Sequence, residues 1–195
     1  MRPAMRLAAL LPLAGLAAAC AHGPARAAGG GEVAAYFPLA VGDVRVWEDR
    51  SPQLPAGEAP PLRTVRIVSR TADGFFRDGE RGELRMDGGC LRDRVRRLLC
   101  GPLVKGHAWS SVVSASSTER YEIVGTGERV ATAAWTFDDC VRVRSIDRAG
   151  GAELVAEISY APGVGPVRIE TFAVVGGEVR PQLRATLRSY RLEGR

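Results

Sequence analysis

The stretch LVAEISYAPGVGPVRIETFA, from Leu154 to Ala173, decides the fold of this chain. Side chains alternate between two faces on both sides of a central APGVG motif. One face carries Leu154, Ala156, Ile158 and Tyr160 before the motif and Val167, Ile169, Thr171 and Ala173 after it. A period of two with one polar face is typical of antiparallel strands. Gly163 and Gly165 suit a tight turn or bulge, because glycine tolerates positive φ. The stretch therefore predicts a β-hairpin.

Shorter runs with the same period occur along the rest of the chain, at Val44–Asp49, Val65–Val68, Val141–Arg144 and Leu183–Arg188. Glycine-rich turn signals separate them: Asp73-Gly74, Asp78-Gly79, Asp87-Gly88-Gly89, Gly125-Thr126-Gly127, Gly150-Gly151 and Gly176-Gly177. No segment after the amino-terminal region keeps a helical period over ten residues. We predict an all-β fold, an antiparallel meander forming a strongly curved sheet, half-barrel or barrel. A β-sandwich is the alternative.

The amino terminus predicts export. Arg2 and Arg6 precede the apolar run Leu7–Ala19, which is too short to span a bilayer as a helix. The small residues before Cys20 resemble the lipobox of bacterial lipoproteins, in which the cysteine thiol is acylated. We expect a signal peptide at residues 1–19, a lipidated flexible tether at 20–35 and a single β domain at 36–195. Simple secretion, with cleavage after Ala19 or Ala27, and a retained anchor are the alternatives.

The predicted partner is a membrane, reached through the lipid on Cys20. By resemblance to enterobacterial sorting, Ala21 favours the outer membrane, with the domain facing the periplasm. A soluble periplasmic or secreted protein is the alternative location. Nucleic acid is not expected as a partner, because a net charge of +5, with Arg2 and Arg6 in the signal, is a weak positive field.

Three cysteines follow Cys20. In an oxidising periplasm a pair is expected to close, and Cys90 and Cys100 flank a plausible hairpin whose turn lies near Arg94–Arg97. Cysteines opposed in such a hairpin lie within disulfide range. We favour a Cys90–Cys100 bond. Cys100–Cys140, Cys90–Cys140 and no bond are the alternatives, and a leftover Cys140 is expected to be a small buried thiol.

Catalysis, cofactors and metals are not expected. Neither His22 nor His107 belongs to a nucleophilic triad or metal motif. Asp138 and Asp139 are adjacent, and neighbours in a strand point to opposite faces, so they are poorly placed as an acid–base pair. The arginines of Arg92–Arg97 form the densest basic patch, for which a solvated hairpin is favoured over contact with anionic lipid. Large aromatic residues are interpreted as core anchors: Trp47, Trp109 and Phe137.

Four phrases resemble a family of uncharacterised exported bacterial proteins, mostly lipoproteins, of a deltaproteobacterial type. They are YFPLAVGD at Tyr36–Asp43 with Trp47, GPL at Gly101–Leu103 with Gly106 and Trp109, AAWTF at Ala133–Phe137 with Val130, Cys140 and Val143, and YAPGVGPV at Tyr160–Val167. The resemblance implies a curved antiparallel sheet, similar by fold-level analogy to lipoprotein-carrier half-barrels. It implies no activity.

These features favour three functions in order. The first is a membrane-tethered binding or scaffold module whose apolar concave face holds a lipid, a peptide or an envelope protein, and it requires an open apolar cavity. The second is a purely structural envelope lipoprotein, with a closed, dry interior. The third is an enzyme, which requires a pocket of charged residues with strongly shifted pKa values.

Overall fold

A computed structural model describes residues 30–80, 82–149 and 151–193. Its elements are α1 (Gly30–Tyr36), β1 (Val44–Arg50), β2 (Leu62–Arg70), β3 (Phe76–Asp78), β4 (Glu83–Asp87), β5 (Cys90–Arg92), β6 (Arg97–Cys100), β7 (Ala108–Ser114), β8 (Ser117–Ala131), β9 (Thr136–Ala149), β10 (Ala152–Ala161), β11 (Gly165–Val175) and β12 (Glu178–Arg191). The all-β prediction is confirmed. The one helix among these elements is far too short to span a bilayer.

The strands form one antiparallel, barrel-shaped sheet in the order β6-β5-β4-β3-β2-β1-β12-β11-β10-β9-β8-β7. The first and last strands pair in the middle of this order, so the two edges, β6 and β7, are consecutive in the chain. Side chains bridge these edges: Trp109 Nε1 donates to Arg97 O at 2.7 Å, and Arg97 N donates to Ser111 Oγ at 2.8 Å. Because there is a single sheet, the β-sandwich alternative is wrong.

In the β10–β11 hairpin, side chains alternate between the inner and outer faces with the predicted period of two. Ile158 lies opposite Ile169 on β11 and Val143 on β9, and this row continues on the inner face to Ile123 and Ala185. The next row along the strands is charged and lies outside: Arg184, Glu170, Glu157, Arg144 and Glu122. Ion pairs within it include Arg184–Glu170 at 2.8 Å and Arg144–Glu157 at 2.6 Å. A one-residue change of register would exchange these two rows, so burial of Ile123, Val143 and Ala185 in the inner row fixes the pairing.

The turn of this hairpin uses its glycines as expected. Gly163 has a φ of 73° and Gly165 a φ of 99°. A Cβ on Gly165 would lie 3.3 Å from Arg45 Nη2 and 3.4 Å from Phe37 Cδ2. The position therefore needs glycine both for its backbone conformation and for the close approach of these two side chains.

One end of the barrel is closed, and we call it the capped end. There α1 packs against β4 and β5, and Val33 is completely buried. Gly163 N donates to Ala35 O at 2.6 Å, and Leu103 N donates to a carboxylate oxygen of Glu32 at 3.3 Å. The loops 101–107, 132–135 and 162–164 lie at this end, because every odd-numbered strand begins there. The opposite, open end carries the loops 51–61, 93–96 and 176–177.

The helix corrects the predicted domain boundary. Residues 20–35 were expected to be a flexible tether, yet Gly30–Tyr36 is helical and contributes Val33 and Tyr36 to the core. The helix is stabilised by burial against the barrel. A segment of seven residues is too short to show a helical hydrophobic period, so the sequence did not predict it. Residues 20–29, with Cys20, and the predicted signal at 1–19 lie outside the described residues.

Candidate ligand cavity

An apolar cavity of about 230 Å³ lies inside the barrel. Its wall is built from inward-facing side chains of β1, β2, β4–β6, β10 and β11, because alternation sends every second residue of each strand inward. The apolar lining residues are Phe37, Trp47, Val65, Ile67, Leu84, Leu91, Leu98, Ile158, Tyr160, Pro166 and Ile169. A few charged side chains complete this mainly apolar wall. Ligand sites usually have such a composition.

Arg45 is the charged side chain deepest in this lining, with 5% of its surface exposed. Its Nε and Nη2 donate to Val164 O at 3.1 and 2.8 Å, and its guanidinium lies 5.1 Å from the centre of the Phe37 ring. The carboxylate of Asp43, also buried, is 3.9 Å away. Burial lowers the pKa of Arg45, and Asp43 opposes that shift. The buried pair ties the β10–β11 turn to β1.

Asp43 is held by the backbone at the capped end. Its Oδ2 accepts from Ala40 N at 3.2 Å and its Oδ1 from Glu193 N at 2.9 Å. These bonds compensate the carboxylate for the loss of water. They also fix the acidic partner of Arg45, so both members of the pair are positioned before any ligand binds.

Arg63 marks the open-end side of the cavity. Its Nε donates to Asp49 at 2.7 Å and its Nη1 to Glu80 at 3.2 Å, while its guanidinium lies 5.9 Å from the Trp47 ring. The hydrogen bond to Asp49 is the main reason that the pKa of Arg63 is raised. The rim thus presents both charge signs, with Asp78 beside Glu80.

A second cavity of about 280 Å³ shares Leu98 and Ile158 with the first. Its polar wall centres on Glu119, which accepts from the Tyr121 hydroxyl and from Arg96 Nε, the latter at 2.8 Å. Burial, followed by the hydrogen bond to Glu119, raises the pKa of Tyr121. The phenol is therefore a neutral donor at physiological pH. Trp109 stacks on its ring, with 5.5 Å between centroids.

The predicted disulfide is present. Cys90 lies directly opposite Cys100 in the β5–β6 pair, and the two sulfurs are bonded, with 4.2 Å between Cα atoms. The intervening turn is held by Asp93, whose carboxylate accepts from Val95 N at 2.7 Å and from Arg96 N at 2.5 Å. Among the cysteines that the structure describes, Cys140 is the free thiol; it is fully buried, and burial raises its pKa to about 11. Such a thiol is unreactive when the protein is folded.

The predicted aromatic anchors differ in burial. Trp47 and Phe137 are in the core, packed with Cys140 and Leu187, whereas Trp109 is half-buried against Tyr121. The core around Trp47 and Leu187 is completed by the β8–β9 hairpin, whose Ala134 N reaches across to Leu187 O at 3.1 Å.

The remaining predicted features do not meet at one site. The His107 ring lies 5.6 Å from that of Trp109. Asp138 forms an ion pair with Arg129 at 3.4 Å, while Asp139 has a φ of 57° and accepts through its backbone carbonyl from the Tyr36 hydroxyl. Within residues 30–80, 82–149 and 151–193, no three His, Cys, Asp or Glu side chains are grouped so as to hold a metal ion.

The arginine run on the β5–β6 hairpin is largely paired. Arg92 bonds Asp87 at 3.3 Å, Arg94 bonds Asp73 and Glu83, and Arg97 Nη2 donates to Ser110 O at 2.6 Å. The carboxylate partners offset the charges of Arg92 and Arg94, as expected for a solvated hairpin.

Sequence reasoning did not single out Arg45, Asp43 or Arg63 as site residues. A usable signal was present, because Arg45 lies two residues before Trp47 in β1 and must share its face. Since Trp47 was predicted to be in the core, an arginine beside it on the same face indicated a buried cation.

Comparisons with known proteins give no assignment. No family model matches the chain, and no curated protein matches its sequence at a significant level. One similar solved structure is a "putative exported protein with YmcC-like fold" from Bacteroides fragilis, with 14% identity and a TM-score of 0.47, covering 80% of this chain and 98% of that one. Another is a "putative lipoprotein" from Parabacteroides distasonis, with 14% identity, a TM-score of 0.44 and the same coverages. Both likenesses are weak, and the function proposed below rests on the chain's own residues.

Proposed function

We propose that this chain is an exported, lipid-anchored binding module of the cell envelope, and that its barrel interior holds the apolar part of a lipid-like ligand. The observation that carries the proposal is the pair of adjoining interior cavities of about 230 and 280 Å³, which share Leu98 and Ile158. Ligand sites are typically clefts of about 300–1,000 Å³ with mainly apolar walls. The combined volume of the two cavities lies within that range.

The charged side chains at the cavities indicate which class of ligand would bind. An apolar chain fits against Trp47, Ile158 and Ile169, while a polar head lies at the rim, where Arg63 and Glu80 offer a donor and an acceptor. The expected ligand is therefore amphipathic, with a slender apolar tail. Each methylene that it buries contributes about 0.8 kcal/mol.

The open interior favours binding over the purely structural alternative, which requires a filled, closed core. Enzymatic activity is the least favoured function. Tyr121, whose pKa is raised by burial and by its hydrogen bond to Glu119, stays a neutral donor to that carboxylate. Such an arrangement positions groups but does not activate a nucleophile.

Anchoring and location form the other part of the proposal. They are supported by the residues before Cys20 and by the resemblance to exported lipoproteins. That resemblance stays a prediction. Lipidation would hold the domain at a membrane, most simply the outer membrane. Cys20→Ala should release the protein from the membrane fraction and abolish labelling by a radioactive fatty acid. A wild-type protein that takes up no label contradicts this part.

Ligand binding is tested by filling the cavity. Ile158→Phe places a larger side chain on the wall shared by both cavities, whereas Val155→Phe makes a similar change on the outer face of the same strand. With dansyl-undecanoic acid as the probe, we expect Ile158→Phe to weaken binding by about tenfold, equivalent to about 1.4 kcal/mol. Val155→Phe should bind like wild type. Equal affinities in all three proteins, or no binding by wild type, would refute the cavity as the site.

A further inference from the structure

The capped end of the barrel exposes large apolar side chains on three separate loops. Trp135 in the β8–β9 turn is 70% exposed, Val104 in the β6–β7 loop 54%, and Val41 between α1 and β1 48%. Isolated exposed valines are common on soluble proteins, but a tryptophan left mostly in water loses the large burial energy that its ring offers. These three residues lie at one end because every odd-numbered strand begins there.

The Trp135 ring is presented on an ordered turn. Its backbone carbonyl accepts from Thr132 N at 2.9 Å and from Thr132 Oγ1 at 3.1 Å, and the neighbouring Ala134 N is bonded to Leu187 O. The turn is thus fixed to β12, and Trp135 points outward from a rigid base. A turn held this way meets a partner surface without a cost for ordering its backbone.

The chain enters the fold at this same end. Gly30 begins α1, which forms part of the cap, and Cys20 is ten residues earlier. Ten residues span at most about 35 Å when fully extended. A 14-residue strand such as β12 is about 46 Å long, so the open end is the more distant one from the anchor. A lipid on Cys20 therefore brings the capped end to the bilayer first.

We propose that the capped end is a membrane-docking face, on which Trp135, Val104 and Val41 enter the interface of the bilayer that holds the lipid anchor. Tryptophan is enriched at this depth because its ring is amphipathic. Exposed Lys105, next to Val104, lies where anionic headgroups attract cations. The open end, with Arg63 and the cavity rim, then faces away from the membrane. The inference rests on the proposed anchoring but not on ligand binding.

The test fixes the anchor chemically, so that it does not depend on natural lipidation. Residues 20–195, which include the whole described fold, are coupled through Cys20 to a maleimide lipid in vesicles of phosphatidylethanolamine and phosphatidylglycerol. Only Cys20 is available, because Cys90 and Cys100 are bonded and Cys140 is buried. Lipids brominated near the headgroup then quench tryptophans that enter the interface.

We expect quenching of one of the three tryptophans in the coupled protein. Trp135→Phe should remove most of it, since Trp47 is buried and Trp109 is half-buried against Tyr121. Val41→Ser with Val104→Ser should reduce it. Val179→Ser, an equally exposed site at the open end, should leave it unchanged.

Three outcomes overturn the inference: no quenching in the wild type, quenching that Trp135→Phe leaves undiminished, or a loss of quenching in Val179→Ser. The first would also follow if the capped end serves a protein partner in place of lipid. None of them bears on the acyl-labelling or cavity experiments, so failure of the proposed function is recognised separately.

Discussion

Reduction of the Cys90–Cys100 disulfide should lower the free energy of unfolding by a calculable amount. The bond closes a loop with a sequence separation of 10. Restricting a loop of this length in the unfolded chain removes entropy equivalent to about 2.7 kcal/mol at 25 °C in the chain-entropy model. The folded hairpin should change little on reduction, because Asp93 holds its turn and the two cysteines are paired in the β5–β6 register. The effect is therefore expected in the unfolded state.

Urea unfolding of oxidised and reduced protein measures this difference. With a slope of about 1–3 kcal/mol per molar urea, the midpoint should fall by about 1–3 M on reduction. The near-UV circular dichroism of the folded protein should be unchanged. Cys90→Ala with Cys100→Ala is the matched control, since it should resemble reduced wild type and show no response to reductant. A free energy of unfolding that falls by less than about 0.5 kcal/mol on reduction, or a reduced protein without near-UV signal, would refute the assignment of the effect to the unfolded chain.

Three further predictions concern other buried or paired groups. Arg45→Met leaves Asp43 buried without its cation and should cost about 3–5 kcal/mol in urea unfolding, whereas Arg45→Met with Asp43→Asn should cost less. The Thr71 hydroxyl, then Arg94, lowers the pKa of Asp73 to about 2, so Asp73 should stabilise the fold above about pH 4 and lose this effect as the pH falls towards 2. The midpoint difference between wild type and Asp73→Asn should shrink over that range, and a constant difference would contradict it. In a Cys20→Ala background, a thiol reagent at pH 8 should label no cysteine in the folded protein and one, Cys140, after denaturation in urea, because burial raises its pKa to about 11.

Local sequence was informative wherever neighbouring residues settle the structure. The alternation of Leu154–Tyr160 with Val167–Ala173, and the glycines between them, predicted a hairpin that is present with the expected faces. The spacing of Cys90 and Cys100 predicted their pairing. Both cases involve residues close together in the chain, so chain geometry restricts the alternatives before any tertiary contact forms.

Helix α1 was missed for the opposite reason. Nothing in an Ala/Gly-rich stretch distinguishes a tether from a seven-residue helix, and what stabilises it is the burial of Val33 by β4 and β5. The residues of the candidate site could not be predicted from local sequence for the same reason. Arg45 acquires its role from Val164 O, 119 residues away, and from Phe37 and Asp43.

By itself the sequence predicted six of the strands (β1, β2 and β9–β12), most of the turns, a favoured Cys90–Cys100 bond and export, since each follows from periodicity or spacing within a few tens of residues. The predicted turn at Gly125–Gly127 was wrong, because these residues lie inside β8, where the pairing register shifts. Only the tertiary structure decided that β1 pairs with β12, that β6 and β7 approach to form a barrel, and that the barrel keeps a cavity with a buried Arg45. These features depend on the packing of segments distant in the chain. These features are stabilised by apolar surface buried between strands that are far apart in the sequence. Local sequence patterns do not show which of those strands pair.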